Sequence, residues 1–191
     1  MFVGKALLVL GAGLFVAGCA TSPRSVPVDE IDPQEKIAVR AASAREAGGF
    51  VTIGEASALT LPVAQDRALR EARAALADIV SARLEKLKND YVESAGIADA
   101  EPVQAWFAGA NGYLRDLILG GARPVLEKSA MEDERWTVWV LLVEDPGVLV
   151  QALELRGIAE RQLFGLLRAS QAYRALLVEA ERFAEYRTAQ N

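Results

Sequence analysis

The run from Trp136 to Val143 constrains this chain more than any other stretch. Seven of its eight residues are apolar, Thr137 being the exception. In a strand, Trp136, Val138, Val140 and Leu142 point to one face, and Trp139, Leu141 and Val143 to the other. A strand apolar on both sides is one covered on both sides. The rest of the chain must therefore supply a layer above the sheet and a layer below it.

The partners of this strand can be read around it. Residues 123–130 form a second strand, joined to 135–144 by the polar segment Met131-Glu132-Asp133-Glu134, so the pair should be an antiparallel hairpin. Residues 50–56, β-branched and aromatic between glycines, form a first strand. Between them lies the helical material. Thr60-Leu61-Pro62 opens a long helix over 63–92, with Leu69, Ala72, Leu76, Ile79, Val80, Leu87 and Tyr91 on one stripe. Arg67, Arg70, Glu71, Arg73, Asp78, Arg83, Glu85 and Lys88 read as its solvated face. After a loop over 94–100, Glu101-Pro102 starts a second helix, since a proline at the first position loses no hydrogen bond. Its apolar face carries Val103, Trp106, Phe107, Ala110, Tyr113, Leu114, Leu117 and Ile118, and Gly120-Gly121 end it.

Those two helices can cover one face of the sheet. The second cover is open to choice. Asp145-Pro146 starts another helical stretch, with a break possible at Gly157 and Ser170 interrupting. It packs either back on the free face of the sheet or against another subunit. The expectation is α+β: a small three-stranded, largely antiparallel sheet with two helices on one face and a long C-terminal helix.

The start of the chain speaks of address rather than fold. Lys5 is followed by an apolar run to Val16, then by the small residues Ala17 and Gly18 and the single cysteine, Cys19. This is the three-part layout of a secretory signal. The uncharged run is shorter than the roughly 18–20 apolar residues that span a bilayer comfortably. Residues 20–35 hold Pro23, Pro27 and Pro33 among polar residues and read as an extended tether of roughly 45 Å. A short helix over 36–47 follows, ended by Gly48-Gly49. The chain thus divides into a signal peptide (1–18), a segment of anchor, tether and short helix (19–47), an α+β domain (48–145) and a helical extension (146–191).

Composition narrows the function. Removing residues 1–18 leaves 173 (191 minus 18), enough for one domain with a real core. The formal charge of −5 becomes −6 when Lys5 leaves with the signal, and no basic cluster argues for nucleic acid. The chain has no histidine, which removes the commonest metal ligand and the commonest general base at neutral pH. No phosphate loop, zinc spacing or nucleophile elbow is present, so no catalytic residue, metal or cofactor is expected and the chain does not read as an enzyme. Glu127, Glu132, Asp133 and Glu134 could be imagined as a calcium cluster, but read more simply as a charged hairpin tip. Trp136 and Trp139 could line a ligand site, but read more simply as packing.

Val16-Ala17-Gly18-Cys19 resembles the lipobox of bacterial lipoproteins. The resemblance implies cleavage before Cys19, a thioether-linked diacylglycerol on its sulfur and usually a third acyl chain on the new amine. Two or three chains anchor firmly, since each buried methylene adds about 0.8 kcal/mol. In that family's sorting pattern an Asp after the cysteine retains the protein in the inner membrane. Ala20 stands there, which implies the outer membrane, facing the periplasm or the surface.

A second resemblance covers 50–145. The strand Val51-Thr52-Ile53-Gly54-Glu55-Ala56, the helix segment from Ala68 to Val80, Leu119-Gly120-Gly121-Ala122-Arg123-Pro124-Val125 and the strand from Thr137 to Val143 resemble the Lpp-twenty family of bacterial outer-membrane lipoproteins, which includes flagellum-associated members. The family usually carries Tyr or Val where Trp139 stands, and the helices after 145 fall outside the likeness. It implies a compact α+β domain with a structural or assembly role in the envelope, in flagellar relatives as a ring subunit, and brings no catalytic residues. The expected partners are the membrane, through the lipid, and a second copy or another envelope protein. Two further roles stay open: a periplasmic binding module that regulates an envelope or peptidoglycan enzyme, and a small-ligand carrier, which would need a cavity between helices and sheet.

Overall fold

The computed structural model describes residues 32–95 and 101–190. The leader, Cys19, residues 20–31 and most of the 94–100 loop lie outside the described residues. Residues 31–191 form one unit.

Its order is α1 (Pro33–Glu46), β1 (Phe50–Ala58), α2 (Leu61–Ala95), α3 (Glu101–Gly121), β2 (Leu126–Glu132), β3 (Arg135–Glu144), α4 (Gly147–Gly157), α5 (Arg161–Ala169) and α6 (Gln171–Ala189). The three strands form one antiparallel sheet in the order β1-β3-β2, so the doubly apolar strand is its centre. The fold is α+β, as the sequence predicts.

The hairpin turn is tighter than expected. β2 runs on to Glu132 and pairs it with Arg135, leaving Asp133-Glu134 as a two-residue loop. Both have positive φ, 48° and 59°, the backbone that a two-residue hairpin with native twist demands. The strand also starts later than expected, at Leu126.

One face of the sheet carries Thr52, Gly54, Ala56, Val138, Val140 and Leu142, and α2 lies on it. Toward its start α2 buries Ala64, Ala68 and Ala72, one per turn, and from Leu76 on it buries larger side chains, Leu76, Val80, Leu84, Leu87 and Tyr91. The switch follows the geometry. At about 1.5 Å per residue α2 is roughly 52 Å long, whereas a nine-residue strand spans about 30 Å. Small side chains let the helix lie close to the sheet, and large ones fill a helical bundle where α2 overhangs it. There α3, α4, α5 and α6 complete the core with Trp106, Phe107, Leu114, Ile118, Leu149, Leu153, Leu167 and Leu176. Ile79, expected on the buried stripe, is 40% exposed.

Three of the charges expected to be solvated hold α2 to its neighbours. Arg73 donates from Nε and Nη2 to the Ala122 carbonyl just beyond α3, at 3.0 and 2.8 Å. Asp78 meets Arg115 of α3 at 2.8 Å, and Arg83 meets Glu179 of α6 at 2.8 Å.

The second cover is α1. Ile37, Ala41 and Ala44 are buried against Val51 and Leu141, with Leu126, Trp139 and Val143 around them. Assigning 33–35 to the tether is therefore corrected: the helix begins at Pro33 and belongs to the folded unit. Asp32 caps it, its carboxylate accepting the Gln34 N–H at 3.0 Å, and Gly48 ends it at φ 96°. The C-terminal residues do not lie flat on that face. They break after Gly157 and again at Ser170, which is the N-cap of α6, its hydroxyl accepting the Tyr173 N–H at 3.2 Å. They pack in cis on α2 and α3, and the boundary drawn at 145/146 does not divide the core.

Candidate functional site

The end of α6 closes over the end of α1. Arg182 Nε donates to the Ala47 carbonyl at 3.1 Å, and the Phe183 ring presses on Gly49 so closely that a Cβ there would lie 2.4 Å from it. Farther along, the Arg40 guanidinium of α1 sits 5.9 Å over the Tyr186 ring and donates to Gln190 Oε1. These contacts tie the first and last helices together beside the start of β1.

They do not close completely. A cavity of about 260 Å³ remains between α1, α6 and the end of β3. Val125, Val143 and Phe183 give it an apolar floor, and Arg40, Arg187, Glu144 and Asp145 line its polar part. The charges differ in how they are satisfied. Asp145 pairs with Arg187 at 3.2 Å and accepts the Gly147 N–H at 2.7 Å, which fixes the entry to α4. Among the described residues Glu144 accepts only the N–H of Asp145, at 3.3 Å. Burial pushes its carboxyl above the ordinary value, with the Asp145 charge adding to the effect, against the hydrogen bond from the Asp145 backbone and the pull of Arg187. The Tyr186 hydroxyl is buried and has no hydrogen-bond partner among the described residues.

A second hollow, about 270 Å³, lies between α2 and α3 near Leu84, Phe107 and Asn111. Its charged groups, Glu85 and Lys88, already satisfy each other at 2.5 Å. It offers a ligand less electrostatic gain than the α1–α6 cavity does.

The residues singled out from sequence fall as follows. Cys19 lies outside the described residues. Glu127 is on β2, where it accepts from Gln65 Nε2 at 2.6 Å, away from the Asp133-Glu134 turn. Among the described residues no group of three acidic or cysteine side chains could hold a metal ion. Trp136 packs on the α2 side of the sheet and Trp139 on the α1 side, so the two do not share a site. No described helix is long and apolar enough to cross a membrane. The cavity residues were not found from sequence, because Arg40, Glu144 and Tyr186 are far apart in the chain. The one local signal was Asp145-Pro146, which marked the start of α4 but not what surrounds it.

No family model, curated protein or solved structure matches this chain.

Proposed function

We propose that this chain is an outer-membrane lipoprotein, anchored through acyl chains on Cys19, whose folded unit assembles with copies of itself in the cell envelope as a scaffold or ring subunit. The Val16-Ala17-Gly18-Cys19 motif and the proline-rich residues that follow support the anchor. In this reading the tether enters the folded unit through α1.

The observation that carries the assembly reading is the edge formed by β1. It is nine residues long, contains no proline and holds a single charge, Glu55. Natural sheet edges are usually blunted by charge, proline or shortness. The other edge follows that rule: β2 has seven residues, with Glu127, Lys128 and Glu132 among them. An unblunted β1 invites strand addition, and a two-fold axis beside it would join two sheets into one of six strands. Beyond Ala58 the same end of the sheet exposes Leu59 and Met131, at 72% and 64%.

Sedimentation of the chain from residue 20 onward tests this reading. Wild type should associate, and Ile53→Lys, which puts a charge on the edge strand at a 36% exposed position, should shift it to monomer with an unchanged circular dichroism spectrum. A wild-type chain that stays monomeric at high concentration sinks self-assembly. Mass spectrometry of the exported chain tests the anchor separately: the expected product begins at Cys19 and carries acyl chains.

A second reading, a binding module of the envelope, is favoured by the α1–α6 cavity.

A further inference from the structure

The strongest unassigned feature is that same cavity, and its chemistry specifies a ligand class. We infer that it binds a small zwitterion of amino-acid size, with its ammonium at Glu144, its carboxylate at Arg40 and a short aliphatic side chain on Val125 and Val143.

Size comes first. Pockets for drug-sized molecules run from about 300 to 1,000 Å³. At about 260 Å³ this one falls just below that range. It is too small to enclose a sugar chain or a lipid tail, and large enough for a single amino acid.

Charge comes next. Of the four charged groups in the lining, Asp145 and Arg187 neutralise each other. Neither of the remaining two forms an ion pair among the described residues, and Arg187, already paired, is the one cation that pulls on Glu144. Arg40 is held by a neutral amide and an aromatic face, Gln190 and Tyr186. Glu144 accepts one backbone N–H among the described residues. A half-buried carboxylate with no ion-pair partner of its own pairs best with a cation that arrives already desolvated by the same cavity. The Arg40 guanidinium offers a planar fork for a carboxylate. One unmatched charge of each sign in one small cavity suits a molecule carrying both signs, and disfavours a simple anion or a simple amine. The apolar floor suits a side chain such as that of valine or leucine over a polar one.

This assignment deepens the binding-module reading and is independent of the lipid anchor and of self-association. If it fails, the sedimentation experiment still decides the assembly reading by itself.

The test is calorimetry and equilibrium dialysis with the full chain in detergent micelles. The probes are L- and D-valine, leucine, valinamide and N-acetylvaline. Valine or leucine should bind, and removal of either charge, in valinamide or in N-acetylvaline, should weaken binding about tenfold or more, as expected for loss of a charge-assisted hydrogen bond. Glu144→Gln leaves the contacts between α1 and α6 in place. It should weaken valine binding by a similar factor and leave N-acetylvaline unchanged. Arg40→Gln should do the reverse, leaving valinamide unchanged. It also loosens the joint between the helices, so its melting temperature is measured alongside and Glu144→Gln remains the deciding variant. The assignment is overturned if none of the amino acids binds at about 10 mM, if N-acetylvaline binds as well as valine, or if Glu144→Gln leaves valine binding unchanged.

Discussion

Gly54 sits at the point where α2 comes nearest the sheet. A Cβ added there would lie 2.0 Å from the Ala68 carbonyl oxygen and 2.7 Å from the Ala72 nitrogen. Both are backbone atoms of one helix, so relief requires α2 to lift from the sheet as a body. Beside it, Thr52 Oγ1 donates to the Ala72 carbonyl at 3.0 Å, a bond that holds only at this separation. Gly54→Ala should therefore destabilise by about 3 kcal/mol or more, the upper range for overpacking. Gly112 makes the contrast. It lies inside α3 with open space around its missing Cβ. Gly112→Ala should stabilise by roughly 0.5–1 kcal/mol through helix propensity alone. Thermal denaturation of the two variants reads both signs. Equal effects would mean that α2 does not approach the sheet as closely as described.

At the scale of elements, α1 is the weakest-held piece of the second layer. It buries one large side chain, Ile37, and two alanines, while Val39 on its outer side is 65% exposed. Burial of one isoleucine contributes about 1.5–3 kcal/mol. By contrast α2 buries nine residues along its length. Local opening of α1 should therefore precede global unfolding. Amide exchange over 33–46 is expected to be faster than over 64–91. Ile37→Ala should raise the α1 rates further while leaving α2 nearly unchanged. Uniform acceleration across both helices would show that α1 unfolds only with the whole domain. The anchor of α1 at its far end is α6, through Arg182, Phe183 and Tyr186. Truncation before Arg182 should accordingly loosen α1, the element most distant from it in sequence.

At the scale of the whole molecule, the chain's response to pH carries the mark of Glu144. Burial raises its carboxyl above the ordinary 4.5, so the folded state holds that proton more tightly than the unfolded chain does. The stabilising contribution is full below about pH 4.5 and is lost as pH rises through the higher folded value. Glu144→Gln removes this loss. Relative to wild type, the variant should gain stability as pH climbs from about 4.5 toward neutrality and show no gain below. Urea midpoints for both chains across that range check it. A constant difference at every pH would mean that Glu144 titrates in the folded chain as it does when unfolded. The same scale holds the larger question of assembly, where a sheet with one blunted edge and one unblunted edge can extend in one direction only.

The residue pattern alone determined the central strand, its neighbours and the need for two covers. A run apolar on both faces cannot sit at a surface, and Gly-Gly and Asp-Pro pairs mark where elements begin and end. It also supplied the sole argument for the envelope, since the Cys19 motif lies outside the described residues. Asp32-Pro33 has the same form as Asp145-Pro146 and marks a helix start in the same way, though it stands among the prolines of the tether. Periodicity cannot say which face of the sheet a helix covers, and α1, with one large apolar residue and two alanines inward, carries little periodic contrast. Packing decided that α1, joined by Tyr186 from the end of α6, covers the second face, and that Arg73 and Arg83 are struts. Packing also brought Arg40, Glu144 and Tyr186 to one cavity. Arg40 lies more than 100 residues from either of the others, so they meet only when the elements that carry them have found their places, and nothing local in the chain encodes that meeting.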